Sequence, residues 1–103
     1  MESFIHKIQK AATPMIGRAD HLYLYGSRAR KEAKDTSDWD FIVFTRRKFS
    51  SQESFDKIVF PLVLLGQENN QEVSVLVYSY KEWRERRDSL FYWNVMKDRV
   101  RIV

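Results

Sequence analysis

The sequence contains no cysteine, only three glycines and two prolines, and no long apolar run. Because cysteine is absent, disulfide bonds and thiolate metal sites are excluded, which favours a reducing compartment. The longest apolar stretch, residues 58–65, contains Pro61 and falls far short of the ~20 residues that a membrane span needs. The residues after Met1 also lack a basic-then-apolar signal pattern. We therefore expect a cytoplasmic protein without a membrane partner.

The remaining composition is that of one small globular domain. A chain of 103 residues, 44% of them apolar, can build one core, so we expect a single domain over residues 1–103. The net charge of +4 favours anionic partners. The basic residues are spread along the chain and form no recognised nucleic-acid motif, so a nucleic-acid binder is the least favoured class.

The apolar spacing predicts the element order α-β-α-β-α-β-α. Pro14 should kink or end the first helix, and Pro61 should bend the third. The 27–33 segment is too short for a parallel crossover, so the first two strands should be antiparallel neighbours in a mixed sheet of the α+β class. The predicted strands are 21–25, 39–45 and 73–78, the predicted helices are 3–16, 27–33, 51–66 and one from 79 onward, and a short extended end follows.

Two aspartates, Asp38 and Asp40, open the second predicted strand. Residues two apart in a strand point to the same face and lie about 6.5–7 Å apart, so two ionised carboxylates repel by roughly 2–3 kcal/mol at an effective dielectric of about 20. A hard divalent cation such as Mg²⁺ would relieve that repulsion. The alternative is a solvated strand start in which Asp38 is only a turn residue.

A second feature, Gly26-Ser27, stands between the first predicted strand and the next short helix. Glycine permits close approach of a phosphate to the backbone, and the following amides with the Ser27 hydroxyl can bind an anion. Arg28, Arg30 and Lys31 add positive charge nearby. An anion cradle next to a carboxylate pair favours one ligand, a nucleoside triphosphate that carries Mg²⁺.

The whole segment GSRARKEAKDTSDWD resembles the signature of the DNA polymerase β-type nucleotidyltransferase superfamily, and it is similar to the small bacterial branch, the minimal nucleotidyltransferases. The element order and length agree with that family over essentially the whole chain. One departure is Lys31, where the family commonly has glycine. The positions in register are Ser27, Ala29, Arg30, Glu32, Ala33, Ser37, Asp38 and Asp40.

The resemblance implies transfer of a nucleoside monophosphate, AMP from ATP, with release of pyrophosphate and with two Mg²⁺ or Mn²⁺ ions. It implies that Asp38 and Asp40 are catalytic residues and metal ligands. It also implies antitoxin action beside a separate helical HEPN-type toxin, with a partner tyrosine as the acceptor. The nucleotide-binding residues that it implies are Gly26, Ser27, Arg28, Arg30 and Ser37.

The family also has a third carboxylate, on the strand after the long helix, and Ser74 aligns with it here. Glu72 lies two residues earlier, hence on the same face, and we hypothesise that it supplies the missing metal-binding and catalytic oxygen. The alternative is that Glu72 is a solvated strand-entry residue. A second reading of the chain follows: a catalytically degenerate module that binds nucleotide or partner without transferring.

Overall fold

The computed structural model describes residues 2–103 and contains one four-stranded mixed sheet. The strands are β1 (His21–Tyr25), β2 (Trp39–Thr45), β3 (Val73–Ser79) and β4 (Val100–Arg101), in the order β3-β2-β1-β4. Strand β1 pairs antiparallel with both β2 and β4, whereas β2 and β3 are parallel. The predicted antiparallel neighbours and the α+β class are thus confirmed.

Serine side chains start four of the five α-helices. Ser3, Ser50, Ser79 and Ser89 each accept a hydrogen bond from a backbone N–H in the first turn, which satisfies a donor that the helix leaves free. Ser50 and Ser79 form complete capping boxes, as their spacing to a glutamate predicts. The helices are α1 (Phe4–Ala12), α2 (Ser51–Ser54), α3 (Phe60–Glu68), α4 (Tyr80–Arg84) and α5 (Leu90–Asp98).

Both prolines disturb a helix where the sequence predicts it. Helix α1 ends at Ala12, and a 3₁₀ turn, Thr13–Met15, follows around Pro14. Between α2 and α3 the segment Phe55–Val59 is a π-helix, in which the Phe60 N–H binds the Phe55 carbonyl. Since Pro61 has no N–H and its ring crowds the carbonyl four residues earlier, the widened turn absorbs the misfit.

Two segments differ from the predicted helices. Residues 27–31 form successive turns instead of a helix, because Lys31 has a φ of 60° and reverses the chain there. A left-handed conformation suits glycine, which the resemblance implies at this position. The predicted helix from residue 79 breaks at residues 85–88 and restarts after Ser89.

The sheet carries a hydrophobic cluster on each face. Phe41 and Val43 of β2 pack with Ile8 of α1 and Leu62 of α3. On the other face, Ile42 and Phe44 pack with Trp83 of α4 and Val95 of α5. Alternation along β2 therefore decides which helices each residue meets. None of the helices within residues 2–103 has the length and apolar character needed to cross a membrane.

Candidate functional site

Gly26 brings the turn after β1 directly against the Asp40 carboxylate. Its φ is +76°, and a Cβ placed on it would lie 2.6 Å from Asp40 Oδ2, so only glycine fits. The amides of Ala29 and Arg30 both donate to the Gly26 carbonyl at 3.1 Å, which closes the turn. The predicted anion cradle and one of the predicted metal ligands are thus adjacent, although Ser27 starts no helix.

The sheet register places Asp40 between two polar side chains. Its partner on the antiparallel side is Tyr25, and its partner on the parallel side is Ser74. Paired residues project to the same face of a sheet, so these three side chains share the face covered by α4 and α5. Asp38 precedes the strand and is exposed.

The pKa values of Asp40 and Tyr25 are both raised at this crowded point of the sheet. Burial raises the pKa of the Asp40 carboxyl, the charge of Asp38 raises it further, and Arg30 partly offsets both effects. Burial also raises the pKa of Tyr25 to about 12, with the Asp40 charge as the second cause. The Tyr25 phenol therefore stays protonated at neutral pH and can donate a hydrogen bond. A cation at this point would favour the ionised form of Asp40.

Arg28 shapes the loop that leads to Asp38. Its Nη2 donates to the Ser37 carbonyl at 2.9 Å and to the Asp35 carbonyl at 3.2 Å. Its guanidinium also lies 4.3 Å from the centre of the Trp39 ring. Ser37 contributes as well, since its Oγ accepts a 2.9 Å hydrogen bond from the Lys34 N–H. Both residues hold the loop in place, and their contact with a nucleotide stays a prediction.

Arg30 joins the turn after β1 to the end of α5. Its Nη1 donates to Asp98 Oδ2 at 2.7 Å, and its Nε donates to Glu32 Oε2 at 3.1 Å. Asp98 is largely buried, with 12% of its side chain exposed. The ion pair therefore fixes the turn against the last helix, and a role for Arg30 in nucleotide binding is likewise still a prediction.

The third position of the predicted metal site carries no carboxylate. Ser74 lies opposite Asp40, and both Ser74 and Glu72 are exposed. The Glu72 carbonyl accepts a 2.8 Å hydrogen bond from the Trp39 N–H, which ties the start of β3 to that of β2. Over residues 2–103, no group of three or more histidine, aspartate or glutamate residues is arranged to hold a metal ion.

Even so, the two aspartates fit a hard divalent cation that is shared with a phosphate. Asp40 is crowded by a second negative charge, and its carboxylate lies against the backbone of the turn at Gly26. Mg²⁺ commonly takes one or two carboxylates and completes its shell with water and phosphate oxygens. The two aspartates are therefore ligands of the kind that a metal–triphosphate needs, and their binding of a metal stays a prediction.

Two residues of this region were not identified from the sequence. Tyr25 had a usable signal, since it directly precedes Gly26 at the end of an apolar strand. Asp98 had none, because its contact with Arg30 depends on the docking of α5. By contrast, Trp39 packs on the opposite face against Phe4 and Phe41, as its alternation with the aspartates predicts.

Comparison with known proteins gives one family match and structural neighbours. Residues 9–95 match the family model of the nucleotidyltransferase domain. One crystal structure of a toxin-antitoxin with AMP-PNP is 17% identical, with a TM-score of 0.65 over 96% of this chain and 72% of that chain. No curated protein sequence matches the chain.

A second neighbour is a toxin-antitoxin pair, MntA-HpeT, with two aspartate-to-glutamate substitutions. It is 15% identical, with a TM-score of 0.62 over 96% of this chain and 71% of that chain. At such low identity, both likenesses establish the shared fold.

Proposed function

The chain belongs to the nucleotidyltransferase domain family, and from that premise we propose that it transfers AMP from ATP to a hydroxyl group with Mg²⁺ or Mn²⁺. One observation carries the proposal above all. A Cβ on Gly26 would lie 2.6 Å from Asp40 Oδ2, so the Asp40 carboxylate packs directly against the backbone of the turn. Phosphate oxygens and a cation would have to meet at that point.

In this mechanism the residues of the chain mainly position the triphosphate and hold the metal ions. The turn at Gly26 and Ser27 orients the triphosphate, and Asp38 and Asp40 hold the metal ions. When bound, these ions neutralise charge at the transferring phosphoryl group. The acceptor oxygen then forms a bond to the α-phosphorus while the bond to pyrophosphate breaks, and the hydroxyl proton leaves to a base. Glu72 is our candidate for that base and for a third ligand.

The acceptor that we propose is a tyrosine of a helical HEPN-type toxin, with this chain as the antitoxin. Both structural neighbours are toxin-antitoxin assemblies, and one contains AMP-PNP. The other carries substitutions at two aspartates that stand two positions apart, the same spacing as Asp38 and Asp40. These likenesses support a nucleotide substrate and a protein partner.

One observation favours the second candidate, a module that binds nucleotide and partner but does not transfer. Ser74 offers a neutral hydroxyl opposite Asp40, where the family has a carboxylate. A hydroxyl is a weaker ligand for a hard dication and a poor general base. Binding would then survive while catalysis is slow.

Intact-mass spectrometry separates the two candidates. The chain is incubated with ATP and Mg²⁺, alone and with a helical partner encoded beside it, and Asp40→Asn serves as the inactive control. Transfer predicts an added AMP on the partner or on the chain itself, lost in the variant. No added mass, together with Mg²⁺-dependent ATP binding in a titration, would select the binding module.

A further inference from the structure

A second concave site lies at the opposite end of the sheet from Asp40. It is a cavity of about 630 Å³ where the loop before β1 meets the loop after β2. Three arginines line it: Arg18, Arg46 and Arg47. Arg46 stands six residues beyond Asp40 along an extended strand, so the two sites are about 20 Å apart. We call this cavity the arginine pocket.

Asp20 is the acidic residue among those that line the arginine pocket, and both of its carboxylate oxygens accept hydrogen bonds from backbone N–H groups. Asp20 Oδ1 accepts a 2.8 Å hydrogen bond from the Arg46 N–H, and Oδ2 accepts one of 2.8 Å from the Gly17 N–H. This carboxylate clamps the two loops together and builds the floor of the pocket. Counting Glu53, which pairs with Arg47, three guanidiniums stand against two carboxylates, and this leaves a net preference for an anion.

An aromatic ring forms part of the same wall. The Arg47 guanidinium lies 4.0 Å from the centre of the Phe49 ring. The ion pair of Arg47 with Glu53 is exposed and long, at 3.6 Å, so it competes little with a ligand. A guanidinium stacked on a ring is a surface on which a planar base can add another layer.

The positive surface does not extend far beyond the pocket. In the adjoining depression, Arg46, Lys48 and Lys81 face Glu82 and Glu85, so the charges nearly balance. A long polyanion would therefore gain little there. The arrangement suits a short segment in which phosphates alternate with flat rings, with about one phosphate for each arginine.

We propose that the arginine pocket binds single-stranded nucleic acid, through phosphate contacts by Arg18, Arg46 and Arg47 and base stacking on the Arg47 guanidinium, which itself lies on the Phe49 ring. Guanidiniums pair with phosphate oxygens in a bidentate manner. The inference does not rest on the transferase activity, since none of these residues lies at the nucleotide site. The dispersed charges of the sequence argued against nucleic acid, but the fold gathers three of them.

The test is fluorescence anisotropy of a labelled, mixed-sequence 12-nucleotide RNA with the full chain, in EDTA and without ATP. Three phosphate contacts predict a slope of log K against log salt of about −2 for a single strand. Arg18→Gln with Arg46→Gln should lower affinity about tenfold and bring the slope to about −0.7. Arg87→Gln with Lys97→Gln removes the same charge from exposed positions outside the pocket and should change affinity less than about twofold.

Three results would overturn the proposal. One is an equal loss of RNA affinity in the pocket double variant and in the control double variant, which would mean that RNA is attracted by the overall positive charge and not by the pocket. Another is tighter binding of a polyglutamate peptide than of RNA, which would assign the pocket to an acidic protein. The third is displacement of the RNA by equimolar ATP. If the glutamine variant melts early, Arg18→Lys with Arg46→Lys keeps the charge, and loss of bidentate contacts should still weaken binding about threefold.

Discussion

Asp40 of β2 and Ser74 of β3 lie directly opposite each other in the parallel pair of strands. A hydroxyl thus stands where the resemblance implies the third carboxylate. Because the two side chains share one face of the sheet, a carboxylate at position 74 would complete an acidic triad with Asp38 and Asp40.

Ser74→Asp should therefore strengthen the metal site. With the third carboxylate in place, we expect Mg²⁺ affinity and the rate of AMP transfer to rise by at least about tenfold, measured by titration and by intact mass. Without metal, the added charge beside Asp40 should lower the melting temperature, because three like charges then share one face.

Two variants control that experiment. Ser74→Asn introduces a side chain with nearly the shape of aspartate but without its charge, so it should leave the transfer rate low. Glu72→Gln tests whether Glu72 supplies the missing oxygen: it should abolish residual transfer, and Ser74→Asp should restore it. If Ser74→Asp does not change metal affinity, position 74 does not belong to the metal site.

Gly26→Ala should damage both the fold and the site. The new Cβ would meet Asp40 Oδ2 at 2.6 Å in a backbone with a φ of +76°. We expect a loss of about 1–3 kcal/mol in the free energy of unfolding and no detectable ATP binding. Urea melts and titration with ATP and Mg²⁺ measure the two effects.

Gly66→Ala is the matched control for that variant. Its Cβ would lie 2.6 Å from Val73 Cγ2 and 2.8 Å from the Gln71 carbonyl, against the two neighbours of Glu72 but not against Asp40 or the turn at Gly26. It should destabilise the protein by a similar amount while ATP affinity stays within about twofold of wild type. Equal loss of ATP binding in both variants would show that lowered stability, and not a change at the turn beside Asp40, explains the effect of Gly26→Ala.

Asp40→Asn should raise the melting temperature in EDTA at pH 7, on the order of a few degrees. Folding raises the pKa of Asp40, so the folded state binds more protons and the ionised group destabilises it at neutral pH. The direction of this pKa shift also determines how the effect of the variant on the melting temperature depends on pH. The advantage of the variant should shrink as pH falls through the raised pKa and vanish below about 3.8, where both states are protonated.

Asp35→Asn provides the comparison, since Asp35 is an exposed aspartate in the loop that precedes β2. It should leave the melting temperature at pH 7 unchanged. A lower melting temperature for Asp40→Asn at pH 7 would mean that the Asp40 charge is already compensated in the folded protein.

Arg28→Gln should loosen the loop that leads to Asp38. The substitution removes hydrogen bonds to the Ser37 and Asp35 carbonyls and the contact with Trp39. We expect a loss of about 1 kcal/mol in the free energy of unfolding and faster amide exchange over residues 34–38. Unchanged exchange there would contradict this role of Arg28 in holding the loop.

Local signals predicted much of this structure. The strand bounds at residues 21–25 and 39–45 follow from apolar runs and their flanking breaks, and the boxes at Ser50 and Ser79 follow from a spacing to glutamate. The two faces of β2 follow from alternation, which placed Trp39 in the core and Asp40 at the site. These features depend on neighbours in the sequence.

Long-range features could not be predicted in the same way. Helix-forming residues at 85–88 concealed the break before α5, and only the Ser89 cap marks the restart. The ion pair of Arg30 with Asp98 joins residues far apart in the chain. Likewise, the arginine pocket exists because Asp20 clamps two separate loops.

Calorimetric titration with ATP, in Mg²⁺ and in EDTA, is the direct test of whether Asp38 and Asp40 bind a metal together with the triphosphate. For the wild type we predict binding that is at least about tenfold tighter with Mg²⁺, and for Asp38→Asn with Asp40→Asn a loss of that difference. Equal ATP affinity in Mg²⁺ and EDTA, unchanged in the double variant, would contradict a metal–triphosphate site at these aspartates.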